Sequence, residues 1–230
     1  MFRVFYAFLF FFRKLFSLKN YFSKSRSYIK FLGSKYGGFY VNVEHPDSIK
    51  NLLSFGIGND ITFDLELFEL TKCKVFMFDP TEGVYKFIQS QKLNINFFFY
   101  PFGISNVNSK TKFYRPLNAD HISHSLVKHK NTSNEFYYAD FKKWDSICEE
   151  LAIDEVDILK MDIEGAEFIV VPHILESNIL PKQICIELHP RFIENGINEF
   201  FKLILLFRRN NYSLAAINSS ANEFLFILNK

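Results

Sequence analysis

NLLSFGIGNDITFDLEL, residues 51–67, decides the fold. Asn51–Phe55 is a short apolar run that stops at Gly56-Ile57-Gly58-Asn59-Asp60. Apolar residues then recur at helical spacing over 61–70 (Ile61, Leu65, Phe68), with Asp60, Asp64 and Glu66 near the start, where the helix dipole favours acids. A strand that turns through glycines into a helix is half of a βαβ unit, and the pattern repeats. Lys74–Phe78 is a second strand, stopped by Asp79-Pro80 and followed by a helix over 84–91. A third strand spans 95–100 and ends before Gly103. A fourth, 156–161 (VDILKM), ends at Asp162; the helix that begins at Ala166 is expected to break at Pro172. A fifth, 184–188, ends at His189-Pro190, with a helix over 199–209 behind it. Residues 214–218 and 223–228 read as a closing hairpin. Short strands at 112–114 and 136–138 bound a polar stretch, and Ser146 is expected to cap a helix to Leu151 with Glu149 completing a capping box. The alternation predicts an α/β fold, a mostly parallel sheet covered on both faces.

Right-handed crossovers bring the C-terminal ends of such strands to one edge, where ligands bind. Gly56 and Gly58, Asp79, Gly103, Asp162 and Glu164, and Glu187 and His189 are therefore expected to face one crevice. Glycines between a strand and a helix let backbone pass close to a ligand and offer N–H groups at a helix N-terminus. Asp79 follows Gly58 by 21 residues at the end of the next strand, where a carboxylate can accept both hydrogen bonds of a ribose diol. The last glycine of the dinucleotide pattern GxGxxG would fall at Ile61, which favours a nucleoside without a pyrophosphate, such as S-adenosylmethionine.

LKMDIEGAE (159–167) places Asp162, Glu164 and Glu167 at the exit of the fourth strand. Two carboxylates two residues apart can act as a general base, hold a cation, or fix the loop by accepting backbone N–H bonds. Asp162 is read as functional; Glu164 as functional or loop-fixing with equal weight; Glu167 as a first-turn helix acid. His121 and His124 either share a metal or lie in a solvated loop, and with no third ligand nearby a zinc site is disfavoured. His189 beside Glu187 is an acid–base candidate, because a neighbouring carboxylate raises its pKa. His45, His129 and His173 are expected at the surface.

The 230 residues suit one domain with a short appendage. Three cysteines without CxxC spacing argue against a disulfide framework. Residues 1–43 hold eight Lys/Arg and no acid, leaving 19 basic against 25 acidic residues in the remainder, so a nucleic-acid-binding body is disfavoured. Residues 4–12 (VFYAFLFFF) lie between Arg3 and Arg13-Lys14; nine apolar residues are too few to span a bilayer, and no cleavage site follows. The division expected is a basic, aromatic, helical segment over 1–36 and a body over 37–230, with Gly37-Gly38 as hinge. The sharper reading of the segment is peripheral membrane contact through residues 1–20; the plainer one is a helix on its own domain or a free basic tail.

Five stretches resemble the FkbM-like S-adenosylmethionine-dependent methyltransferases: LLSFGIGNDITFDLEL (52–67), VFMFDPT (75–81), HISHSL (121–126), VDILKMDIEGAEF (156–168) and IELHPRF (186–192). The resemblance covers about residues 50–230. It implies a Rossmann-like methyltransferase sheet, mostly parallel with a C-terminal antiparallel hairpin and helices on both faces. It further implies O-methylation, often of sugar or glycan hydroxyls, with S-adenosyl-L-methionine as cofactor. On that basis Phe55, Gly56, Gly58, Asp60, Asp79, Pro80 and Gly103 are expected at the cofactor and His121, Ser123, Glu164 and Arg191 at the substrate. Asp162, His189 or His124 serves as base. A cation at Asp162 and Glu164 is not required, and no metal ligands are assigned. Such an enzyme meets its cofactor in the cytoplasm, with any membrane contact peripheral and at the inner face. The rivals are a NAD-dependent sugar oxidoreductase, disfavoured by Ile61 and the lack of a YxxxK pair, and a non-catalytic membrane-associated scaffold.

Overall fold

The structure is a computed structural model that describes residues 28–118 and 122–229. Seven strands form the central sheet: β3 (Asn51–Phe55), β4 (Lys74–Phe78), β5 (Phe97–Tyr100), β9 (Ile158–Met161), β10 (Gln183–Glu187), β11 (Tyr212–Ile217) and β12 (Glu223–Leu228). Their order is β11-β12-β10-β9-β3-β4-β5. All neighbours from β10 through β5 pair in parallel, while β12 runs antiparallel to both β10 and β11. This is the Rossmann-like arrangement, with its closing antiparallel hairpin, that the family resemblance implies. The order reverses direction between β3 and β9, so the exits of those strands open a crevice.

Period-2 alternation sorts each strand's side chains between two cores. Leu53, Phe55, Phe76, Phe78, Leu159, Met161, Ile184 and Ile186 face one side. There they meet α3 (Trp144–Glu150), α4 (Glu167–Leu175) and α5 (Gly196–Arg209). Leu52, Val75, Met77, Ile158 and Cys185 face the other, against α1 (Thr62–Thr71) and α2 (Val84–Ser90). Much of the chain's phenylalanine fills the first core as ring stacks: Phe55 on Phe78 at 4.4 Å, Phe207 on Phe226 at 3.9 Å.

Five expectations are corrected. The body begins before residue 37: β1 (Ile29–Leu32) pairs antiparallel with β2 (Phe39–Asn42), and Leu32, Phe39 and Val41 are buried in the second core. Gly37-Gly38 belongs to the turn of this hairpin, not to a hinge, because a Cβ on Gly38 would lie 2.4 Å from the Ser34 carbonyl. The rest of the segment expected as a helix, residues 1–27, lies outside the described residues. Ser146 is not a cap: α3 starts at Trp144, and the Ser146 hydroxyl instead accepts a hydrogen bond from the Asn108 amide at 2.9 Å. Pro172 does not break α4, since burial of Val170, Val171, Ile174 and Leu175 on the sheet outweighs one missing backbone hydrogen bond. Finally, the short strands at 112–114 and 136–138 are parts of β7 (Ser109–Pro116) and β8 (Thr132–Lys142), which with β6 (Gly103–Ile104) form a separate three-stranded sheet. Its outer face mixes lysines with the aromatics Tyr114, Phe136 and Tyr138, while Phe113, Ala139 and Phe141 point inward.

Among the described residues no helix is long and apolar enough to cross a membrane.

A chain begun at residue 37 loses β1 and the burial of Leu32. Its unfolding free energy should fall by more than about 1 kcal/mol for the lost side chain alone, at about 25 cal/mol per Å² of apolar surface, and its urea midpoint with it. An unchanged midpoint would return the hairpin to the appendage.

Candidate active site

The exits of β3, β4 and β9 converge because the backbone there is packed to its limit. Gly56 has φ +74°, and a Cβ on it would lie 1.6 Å from the Asp162 carbonyl oxygen. The Gly56 amide donates to the Phe78 carbonyl at 3.1 Å, and the Asp162 amide to the Phe55 carbonyl at 3.1 Å. Gly58, also at positive φ, donates its amide to Asp79 Oδ2 at 2.8 Å. Both glycine amides are therefore engaged within the protein. The glycines act by permitting close packing. Asp79 is buried and receives the Thr81 amide on its other oxygen at 2.7 Å, so it holds the glycine turn as well as facing the cleft.

Above these exits lies a cleft, open at its mouth, with about 90 Å³ of room inside it. One end is apolar, with Pro80, Ile104, Phe113, Leu126 and Phe141; the other is polar, with Tyr36, Ser123, Asp162 and Glu164. Of the residues expected from sequence, Phe55, Gly56, Gly58, Asp60, Asp79, Pro80, Gly103, Ser123, His124, Asp162 and Glu164 all line it. Gly103 lines it for a packing reason, since a Cβ there would meet the Phe141 ring at 2.4 Å. Asp60 has both oxygens engaged: Oδ1 receives the Thr62 amide at 2.9 Å and Oδ2 the Ser34 hydroxyl at 2.5 Å. It tethers the β1–β2 hairpin to the start of α1. His121 lies outside the described residues. Arg191 is not among the lining residues; its guanidinium sits 4.5 Å over the Phe192 ring. Ile61, where a dinucleotide fold would want glycine, is core.

The loop carrying His124 does fold over the site. Ser125 bridges to Tyr114 on β7, and its hydroxyl donates to the Glu164 carbonyl at 2.7 Å. His124 Nδ1 donates to the Ile122 carbonyl at 2.9 Å, burial lowers its pKa, and its Nε2 is buried without a partner. A neutral ring with a free Nε2 lone pair results. Asp79 and Glu82 are the carboxylates that act on its charge, so it stands at the Asp79 end of the cleft.

Behind the polar end lies a buried charge cluster. His189 is sealed in the interior, with Nδ1 3.0 Å from Glu167 Oε1. Its Nε2 is 3.3 Å from Glu187 Oε1, 3.5 Å from Glu164 Oε2 and 3.8 Å from Asp162 Oδ1. Burial opposes a charge on His189, but Glu167, Glu187 and Asp162 outweigh it and raise the pKa well above 6.5. The surrounding carboxylates thus favour the protonated ring. Asp162 is pushed up to about 8, by burial first and then by the Glu187 charge. Glu167 is more than a first-turn acid: its two oxygens receive the Ile163 amide at 3.1 Å and the Gly165 amide at 3.0 Å. It satisfies the loop donors that Glu164 was a candidate for. Glu164 itself has φ +52°, a left-handed conformation that costs energy in a side-chain-bearing residue. His129 is half-buried and stacks on Phe192 at 3.9 Å, not free at the surface.

Two residues that the sequence reading passed over belong to the site. Lys160 is buried on the second-core face of β9, and its Nζ donates to the Gly56 carbonyl at 2.8 Å. The signal was available: a lysine inside the apolar run VDILKM cannot be ordinary filling. Tyr36 comes from the turn of the β1–β2 hairpin and has its pKa raised by burial and by Asp162 and Glu164, against a hydrogen bond with Ser123. No local pattern could have linked it to Asp162, 126 residues away.

The sequence profile of the methyltransferase FkbM domain matches residues 41–214. Among curated proteins none matches. Two solved structures are similar in fold. One is a fibrillarin/Nop5p complex, at 11% identity over 79% of this chain and 73% of that one, TM-score 0.45. The other is the Methanococcus jannaschii fibrillarin pre-rRNA processing protein, at 10% identity over 90% and 85%, TM-score 0.47.

Glu167→Gln keeps a hydrogen-bonding shape but removes the charge behind His189. It should cost about 1–3 kcal/mol of stability. Because the folded pKa of His189 lies above 6.5, its stabilising contribution is fully present below pH 6.5 and is lost as pH rises through the folded value. In the variant that loss should begin at lower pH. An NMR titration of the imidazole checks this, and an unshifted ring would show that Glu167 does not hold the proton.

Proposed function

The chain belongs to the methyltransferase FkbM-domain family, and from that premise we propose that it moves a methyl group from S-adenosyl-L-methionine to a hydroxyl of a sugar or glycan. The observation that carries the reading is the convergence of the Gly56 turn, Asp79 and Asp162 on one cleft at the reversal point of the sheet. Pro80 and Phe141, at the apolar end, would hold the adenine. Asp79 accepts the ribose hydroxyls with the lone pairs that Gly58 and Thr81 leave open. The sulfonium then lies toward Asp162 and Glu164, whose negative field suits a cation. The acceptor enters at the open polar end, where Tyr36, Ser123 and Glu164 can take hydroxyls by hydrogen bonds.

In the reaction the acceptor oxygen attacks the methyl carbon in line with the departing sulfur. The cofactor would supply the methyl group and leave as neutral S-adenosylhomocysteine, while the hydroxyl proton passes to a base of this chain. We assign Asp162 as that base: a carboxylate whose pKa lies near the working pH combines the right protonation state with real proton affinity. His189, held from behind by Glu167, orients and steadies that carboxylate. His124, with its free Nε2 at the Asp79 end, is better placed to contact the cofactor than the acceptor. The sugar class rests on what the family resemblance implies. Turnover is placed in the cytoplasm, where the methyl donor is, and residues 1–20 are read as a peripheral contact with the inner membrane face.

Isothermal titration with S-adenosylhomocysteine should give one site per chain, and Asp79→Ala should weaken it at least tenfold, about 1.5–3 kcal/mol for a charge-assisted contact. Unchanged affinity in a folded variant would sink the ribose assignment. With chelator-treated enzyme, the transfer rate should rise with pH through about 8 as Asp162 loses its proton. Asp162→Asn should abolish that rise together with most of the turnover. A pH limb that survives the substitution would move the base elsewhere.

A further inference from the structure

We propose that Asp162, Glu164 and His189 form a binding site for one divalent first-row cation at the acceptor end of the cleft. One donor atom from each residue lies within 4.8 Å of the others. His189 Nε2 stands 3.8 Å from Asp162 Oδ1 and 3.5 Å from Glu164 Oε2. Donors that share an ion at about 2.0–2.2 Å sit about 3–4 Å apart, so the set needs only a small contraction. Glu187 Oε1, 3.3 Å from Nε2, is close enough to complete the shell.

Carboxylates in a cluster are common without any ion, but three further features single this group out. First, the donors include an imidazole that is sealed from solvent at 1% exposure and aims Nε2 at the carboxylates. Second, the other ring nitrogen is held by Glu167 at 3.0 Å, and Glu167 is itself anchored by the Ile163 and Gly165 amides. A carboxylate behind the far nitrogen is the arrangement that fixes a metal-binding histidine's tautomer and orientation. Third, Asp162 Oδ1 is enclosed and accepts no hydrogen bond, although an enclosed carboxylate oxygen ordinarily finds a donor. A cation satisfies it, and takes the place of the proton that His189 Nε2 carries in the metal-free protein. Asp162 and Glu164 both line the cleft, so an ion held between them keeps its remaining positions open to a ligand oxygen.

One nitrogen with two or three carboxylate oxygens suits Mn²⁺ or Zn²⁺ better than a purely oxygen-seeking ion. On the methyl-transfer reading the open positions would take the acceptor hydroxyl and lower its pKa. That role rests on the proposed function; binding of the ion does not.

Full-length protein stripped with chelator and then dialysed tests the site without cofactor. Mn²⁺ titration followed by the paramagnetic resonance of the free ion should show one ion bound per chain, displaced by Zn²⁺. Glu164→Gln and Asp162→Asn should each weaken Mn²⁺ at least tenfold while circular dichroism stays unchanged. Both lie at the cleft surface, so they avoid the folding risk of changing buried His189. S-adenosylhomocysteine affinity is measured on the same samples. Failure to bind either Mn²⁺ or Zn²⁺ in protein that binds S-adenosylhomocysteine would overturn the cation site and leave the methyltransferase reading intact. Equal Mn²⁺ affinity in the double variant would also overturn it. Ion binding lost with the two carboxylates supports the site, whether or not the nucleoside binds.

Discussion

The contact on which the rest of this molecule depends is the passage of the Gly56 backbone against the Asp162 carbonyl. No side chain fits between them: a Cβ would stand 1.6 Å from that oxygen. The approach brings β3 and β9 together at the point where the strand order reverses, and every later element of the site is hung on it. Lys160 reaches up to the Gly56 carbonyl from beneath, and Asp79 reaches across to the Gly58 amide. The glycine turn is thus pinned from below and from the next strand before any ligand arrives. A pre-formed turn costs nothing to organise when the ligand binds.

That rigidity is maintained by buried charge, which is expensive unless paired. Two clusters share the cost. On one face of β9, Lys160 lies among Asp60 and Asp64; burial pushes Asp64 up while Lys160 and Ser54 oppose the shift. At the end of β9, Glu167 and His189 form the second, and it is this pair that turns the Asp162–Glu164 loop toward the cleft. The left-handed backbone at Glu164 follows from the same constraint, since the following Gly165 must present its amide to Glu167. Strain at Glu164 and imidazolium at His189 are two consequences of one buried carboxylate.

The cleft's walls come from outside the sheet. The three-stranded sheet supplies Phe113 and Phe141, and Tyr137 ties it to the β4 exit by donating to the Pro80 carbonyl at 3.1 Å. The β1–β2 hairpin supplies Tyr36, held in place through Asp60, Ser34 and Thr62. The central sheet therefore positions the carboxylates, while two small appended units give the cleft its depth.

The sequence by itself determined the sheet and the identity of its exits. Asn51–Phe55 and Lys74–Phe78 occur where the apolar runs end at glycine and aspartate, because strands buried on both faces are continuous apolar segments and their termini are not. Gly56, Asp79 and Asp162 were legible for that reason. Tertiary structure alone decided what those residues face. Whether His189 is base or cation depends on Glu167, 22 residues away, and whether Glu164 or Glu167 satisfies the loop depends on which one α4 turns inward. The β1–β2 hairpin escaped notice because its strands are only four residues long and sit in a basic stretch that dominates the local composition. Periodicity reports which face of an element is buried; it carries no information about which distant charge shares that burial, and in this protein that sharing sets the chemistry.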